Sequence, residues 1–189
     1  PSMMTLPDPG CKSTCAMVED IIVALCNPGT RALVVAPTYD QALHVLLPIF
    51  LRICEQMERA GFPILRKFRW SQMRAELVCG GEFFFRSVSK VDNLLGFEFA
   101  LIHFDESETV AAPERIWAAL DGRMRQVANW REMIGTSTPR GLRGVLGIFH
   151  AAREDYKTPE ERELRRQQYV FIRATTLDNP HLPPDYIEN

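Results

Sequence analysis

The sequence predicts an α/β domain, with a mainly parallel sheet flanked by helices and one antiparallel hairpin excursion. Three observations point there. Short β-branched or apolar runs alternate with longer helical patterns along the chain, which is how strand–helix–strand units read. The run Phe99 to Phe104 (FALIHF) is the most strand-like and ends in the acidic pair Asp105-Glu106. Gly80-Gly81 separates two further strand-like runs and marks a tight turn, because glycine accepts positive φ angles without steric cost.

In chain order, Met3 to Leu6 reads as a first strand, followed by a Pro/Gly turn and a helix from Lys12 to Cys26 that Asn27-Pro28-Gly29 stops. Arg31 to Pro37 (RALVVAP) is a buried-strand candidate. Tyr39 to Ala60 reads as a long helix that Pro48 should kink or divide, since proline lacks the N–H and crowds the carbonyl one turn back; Gly61-Phe62-Pro63 ends it. Ala75 to Cys79 and Glu82 to Val88 form the hairpin arms. After FALIHF, Pro113 to Gln126 reads as a helix, Glu132 to Thr136 as a strand and Leu142 to Asp155 as a helix. Lys157 to Gln168 is charge-rich, and Tyr169 to Ala174 (YVFIRA) reads as a last strand.

A chain of 189 residues with 46% hydrophobic content fits one domain and can bury a substantial core. Runs such as Ile21 to Leu25 and Val45 to Leu51 are too short, or too close to Pro48 and to charges, to cross a bilayer, so a soluble protein with no membrane partner is expected. No positively charged leader precedes an apolar stretch, which gives secretion no support. The five cysteines are odd in number and scattered, as in a reducing compartment. Cys11 and Cys15 are spaced like helix neighbours but have no histidine or second cysteine pair nearby to complete a zinc site. The net charge of −2 gives no global sign of nucleic-acid binding, so any DNA contact must come from local patches.

Pro9-Gly10-Cys11-Lys12-Ser13-Thr14 lies between a predicted strand and a predicted helix, where backbone N–H groups and the helix dipole favour an anion. This is the geography of a phosphate-binding loop. The pattern G-x-x-x-x-G-K-[ST] is not met, because Cys11 replaces the glycine before the lysine and Leu6 the first glycine; an ordinary helix start is the competing reading. Asp105 and Glu106 supply a second element. A parallel sheet binds ligands at the carboxyl ends of its strands, so the pair would face Lys12, one carboxylate holding Mg²⁺ and the other orienting water; a solvated acidic loop is the alternative. Thr136, Ser137 and Thr138 close another predicted strand on the same rim, where hydroxyls can sense a terminal phosphate, although such a run before Pro139 also fits a turn or helix cap.

The ordered set resembles the large terminase subunits of tailed bacteriophages. The matching stretches are the lysine loop, VVAPTYDQA at 34–42, NLLGFEFALIHFDES at 93–107, GTSTPRGL at 135–142 and TLDNPHLPPDYIEN at 176–189, the last being the most specific. The resemblance implies a P-loop NTPase domain of the ASCE/RecA-like kind spanning 1–189, with the nuclease domain absent and the amino-terminal part truncated. It implies an ATP- and Mg²⁺-dependent motor that translocates double-stranded DNA into a procapsid in the cytoplasm of an infected host cell. The chain would act as a homo-oligomeric ring on the portal protein with a small terminase subunit. A pI near 6.1 and the lack of a long apolar stripe give no strong self-association signal, so the isolated chain is expected to be mostly monomeric, and a weak ATPase because an arginine from a neighbour exists only in a ring.

By that likeness Gly10, Cys11, Lys12, Ser13 and Thr14 would bind nucleotide, with Lys12 on the β/γ-phosphates. Ser13 and Asp105 would hold Mg²⁺, Glu106 would activate water, and Thr136, Ser137 and Thr138 would couple hydrolysis to movement. Leu95 stands before Gly96 where terminases often carry arginine. An arginine finger would come from elsewhere in the chain or from a neighbouring subunit, with Arg123, Arg125, Arg140 and Arg143 as candidates. A helicase-like DNA-dependent ATPase and a catalytically degenerate nucleotide-binding module are the alternatives. Elsewhere the expectation is packing: His103 as a hydrogen-bonded core residue, Trp70, Trp117, Trp130 and Phe83-Phe84-Phe85 as core or edge contacts, and Arg162 to Arg166 as a wet helix face.

Overall fold

Alternation along the strands decides the architecture. The computed structural model describes residues 11–89, 97–138, 144–145, 147–148, 158–168, 170 and 172. Its strands are β1 (Arg31–Ala36), β2 (Leu65–Arg69), β3 (Arg74–Leu77), β4 (Glu82–Ser87), β5 (Leu101–Phe104) and β6 (Glu132–Gly135). They form one sheet in the order β2-β3-β4-β1-β5-β6. β4, β1, β5 and β6 are parallel, while β2 and β3 extend the sheet as antiparallel strands beside β4. The parallel sheet and the hairpin about Gly80-Gly81 are therefore as expected, with Gly80 at φ +81° in the turn.

Each central strand feeds two apolar layers because successive side chains point to opposite faces. From β1, Ala32, Val34 and Ala36 join Phe83, Phe85 and Leu101 in one cluster, together with the inner faces of α1 (Cys11–Cys26) and α3 (Leu47–Arg59). Leu33 and Val35 join Phe84, Ile102 and Phe104 in the other, closed by Leu120 of α4 (Pro113–Asp121). Phe50 of α3 is wholly buried at the centre of the first layer, with its ring 5.0 Å from Phe83 and 5.4 Å from Phe85.

The long helix is divided before Pro48, in line with the expectation: α2 (Tyr39–Gln41) passes into a π-helical segment, Ala42–Leu46, and only then into α3. Leu47 N–H bonds to Ala42 C=O, a five-residue step, and the wide turn leaves Pro48 in the first turn of α3, where its missing N–H costs little. β2 (LRKFR) has no counterpart in the sequence reading. α4 stops at Asp121, because the chain from Gly122 turns back to pair with the start of the β5 segment, Phe99 N–H donating to Arg123 C=O at 3.0 Å. Of the expected strand Tyr169 to Ala174 only Val170 and Ile172, both exposed, are described; the rest lies outside the described residues. The predicted strand Met3 to Leu6 and most of the predicted helix Leu142 to Asp155 lie outside the described residues, although residues 144, 145, 147 and 148 are helical. The charged stretch forms a helix, Pro159–Gln168, with Leu164 exposed.

Candidate phosphate and metal site on the carboxyl rim of the sheet

Because β1, β4, β5 and β6 run the same way, their carboxyl ends share one rim. α1 begins at Cys11, which puts Lys12 and Ser13 in its first turn, against that rim. Ser13 Oγ donates to Asp105 Oδ1 at 2.6 Å. Lys12 Nζ donates to Thr138 Oγ1 at 2.8 Å and lies 3.4 Å from Glu106 Oε1. Residues 92 to 126 positions apart are thus joined as the sequence reading requires of one site.

Asp105 and Glu106 are treated differently by the fold. Asp105 continues the β5 ladder through its N–H to Val35 C=O; the residue is 5% exposed, and its carboxylate accepts from Ser13 and, at 2.5 Å, from Thr136 Oγ1. Glu106 takes a left-handed conformation, φ 47° and ψ 42°, and swings the chain out into a short turn, Ser107–Thr109. Thr109 holds that bend by donating to Glu106 C=O from both its N–H (3.0 Å) and its hydroxyl (2.7 Å). A left-handed non-glycine residue is costly and persists where its surroundings over-determine it, which is common at functional sites. The Glu106 side chain keeps 29% exposure, open to water.

The three hydroxyls after β6 each reach a different part of the rim. Thr136 donates to Asp105, Ser137 Oγ accepts from the Glu108 N–H at 3.1 Å, and Thr138 accepts from Lys12. The backbone of this stretch is pinned as well, Thr136 N–H to Phe104 C=O and Ser107 N–H to Thr136 C=O, both at 3.1 Å.

Beneath the rim lies a polar pair that extends the network into the core. His103 is fully buried, as expected for a hydrogen-bonded core histidine; its Nδ1 is 2.8 Å from Asp20 Oδ2 and its Nε2 3.2 Å from Thr136 Oγ1. The single proton of the Thr136 hydroxyl is committed to Asp105, so His103 Nε2–H donates to Thr136 and Nδ1–H donates to Asp20. Burial alone would pull the His103 pKa down, but the charge and hydrogen bond of Asp20, with Asp105 nearby, outweigh it and hold the imidazole above its ordinary value. Sequence reasoning missed Asp20. Its signal was a carboxylate on the helix face shared with Ala16, Met17 and Ala24, all buried.

The donor chemistry fits Mg²⁺. Among the described residues no group of three or more His, Cys, Asp or Glu side chains could cage a metal. Mg²⁺ at a phosphate site needs only one or two protein oxygens beside phosphate and water, and the Ser13 hydroxyl and Asp105 carboxylate are two hard oxygens side by side. Of the remaining candidates, Thr14 is buried within α1. Arg123 and Arg125 follow α4 at the amino-terminal end of β5, where neighbouring Gln126 bonds to Gly29 C=O and Arg31 N–H; this is the rim opposite Asp105. Within one chain they face away from Lys12. Gly10, Arg140, Arg143 and the side chain of Cys11 lie outside the described residues.

Comparison with known proteins places these features in a family. Residues 12–189 match the family described as terminase large subunit, T4likevirus-type, N-terminal. Curated terminase large subunits of Thermus phage G20c and Thermus virus P23-45 are each 30% identical over 156 residues, 73% of this chain. The chain spans 30% of the length of those relatives. Among solved structures, the large terminase ATPase domain of Thermus phage P74-26 superposes with a TM-score of 0.55 at 23% identity, over 76% of this chain and 60% of that one. The large terminase of another thermophilic bacteriophage gives 0.67 at 14% identity, over 94% and 41%. At these identities the likeness is one of fold, the P-loop NTPase fold of terminase ATPase domains.

Proposed function

We propose that this chain, which belongs to the terminase large-subunit family, hydrolyses ATP to drive double-stranded viral DNA into a procapsid. The observation that carries the reading is the convergence of Lys12 and Ser13, Asp105 and Glu106, and Thr136 to Thr138 on one rim. Its likeness to terminase large subunits and to a large terminase ATPase domain supports it.

In this reading the first turn of α1, with Gly10 preceding it in the sequence and Cys11 and Thr14 within it, cradles the phosphates, and Lys12 pairs with the β/γ-phosphate oxygens. Ser13 and Asp105 hold Mg²⁺, which when bound neutralises charge on the phosphate oxygens. Glu106 orients water and accepts its proton. Thr136, Ser137 and Thr138 connect the acids, the following turn and the lysine, so they couple the state of the site to movement. An arginine finger comes from elsewhere in the chain or from a neighbouring subunit, and Arg123, Arg125, Arg140 and Arg143 are the candidates. The expected partners are double-stranded DNA, the portal protein, a small terminase subunit and further copies in a ring, assembled in the host cytoplasm. We assign no DNA cleavage to this chain, and nicking of plasmid DNA in Mn²⁺ by the purified chain would overturn that part.

Calorimetry tests the reading. Lys12→Ala should abolish Mg·ATP binding, because it removes the phosphate-paired charge, whereas Glu106→Gln should keep binding and stop hydrolysis. Equal affinity in wild type and Lys12→Ala would mean that the phosphate site lies elsewhere.

A further inference from the structure

The hydrogen-bond network runs deeper than the proposed chemistry requires. Asp20 sits about two turns beyond Lys12 on α1, and both it and His103 are 0% exposed, so neither can touch a phosphate or water in the rim. The apolar cluster on this side of the sheet includes Met17, Ile21 and Ala24 of their helix and Leu101 of their strand. A charged pair costs more to bury there than an apolar pair of similar volume, so it brings no stability that a leucine or methionine would not. What it does bring is direction. The Thr136 hydroxyl can rotate, and the donor at His103 Nε2 occupies its lone pair and leaves its proton to Asp105.

We propose that Asp20 and His103 are positioning residues, Asp20 locking the His103 ring and His103 locking the Thr136 hydroxyl onto Asp105. The relay ties the middle of the lysine helix, β5 and the end of β6 into one unit. Its importance for turnover rests on the function proposed above; the linkage of the side chains does not.

Two measurements test it separately. In nucleotide-free protein, imidazole ¹⁵N NMR with His103 assigned through His103→Gln should show the Nε2 signal displaced in Thr136→Val and returned in Thr136→Ser, with Nδ1 displaced in Asp20→Asn. In steady-state ATPase assays Asp20→Asn should lower kcat about tenfold, the lower end of the effect of removing an outer hydrogen-bond partner, with KM for ATP unchanged. Adding Asp20→Asn to Thr136→Val should cost nothing further, since both act through one hydroxyl. A His103 signal indifferent to Thr136→Val, or kcat losses that multiply, would overturn the relay. An inactive wild type would sink the ATPase reading and leave the NMR to decide the relay. If Asp20→Asn does not fold, the comparison of Thr136→Val with Thr136→Ser decides it.

Discussion

Glu106 offers a test of whether its left-handed conformation stores strain, read as a stability difference between two variants that both lack the carboxylate. Its φ of 47° places a Cβ where only glycine sits without penalty, at about 1–2 kcal/mol for an L residue. Replacing Glu106 by alanine keeps that penalty and replacing it by glycine removes it. Glycine gives back about 0.5–1 kcal/mol through the greater freedom of the unfolded chain. The contact with Lys12 at 3.4 Å, between side chains 45% and 29% exposed, is lost in both variants and cancels. Glu106→Gly should therefore be more stable than Glu106→Ala by about 0.5–1 kcal/mol, or about 0.3 M in the urea midpoint for a slope near 2–3 kcal/mol per molar. Neither variant should hydrolyse ATP. Urea titrations followed by far-UV circular dichroism give the difference, and an alanine variant at least as stable as the glycine one would refute a strained left-handed site.

Three further outcomes follow from the core, the hairpin and the cysteines. Phe50→Ala should cost about 3–5 kcal/mol because the side chain is fully buried between two aromatic rings, whereas Phe62→Ala, at 66% exposure, should stay within about 0.5 kcal/mol; chemical denaturation compares them. Gly80→Ala should lose about 1 kcal/mol from its positive φ alone, since an added Cβ meets nothing within 4 Å there, and Gly81→Ala should lose less; thermal melts in parallel would show the order. Burial pushes the Cys54 thiol up to about 12, so at pH 8 iodoacetamide should modify the exposed Cys15 and Cys26 and spare Cys54 until urea unfolds the chain, as peptide mass mapping would report.

The rim was legible in the sequence because its strands are apolar runs with polar ends: FALIHF leads into Asp105-Glu106, and the Glu132 to Thr136 run leads into the hydroxyls. Elements without such a contrast were hidden. β2 has three basic residues in five and no fully buried position, so it lacks the alternation that marks a strand. The π segment ALHVL has an ordinary helical composition, and its wider turn is a response to Pro48 further along. Asp20 could not be told from a surface acid, because the histidine that explains it is 83 positions away. Taken alone, the Thr-Ser-Thr stretch read better as an ordinary turn or helix cap; only the partners of its hydroxyls distinguish it.

Those partners differ in their access to water, and the difference sets how firmly each is held. The Thr138 contact with Lys12 is exposed, so solvent or a phosphate oxygen can replace it at little cost. Ser137 holds a backbone N–H in a half-buried position, and Thr136 holds a nearly buried carboxylate backed by His103. A displacement of α1 from the sheet would break the Lys12–Thr138 and Ser13–Asp105 contacts, whereas the Ser137–Glu108 and Thr136–Asp105 contacts join the ends of β5 and β6 and would stay with the sheet. The short segment after β6 is graded in its hold, loose at the exposed Thr138 and tight where the strands meet the core.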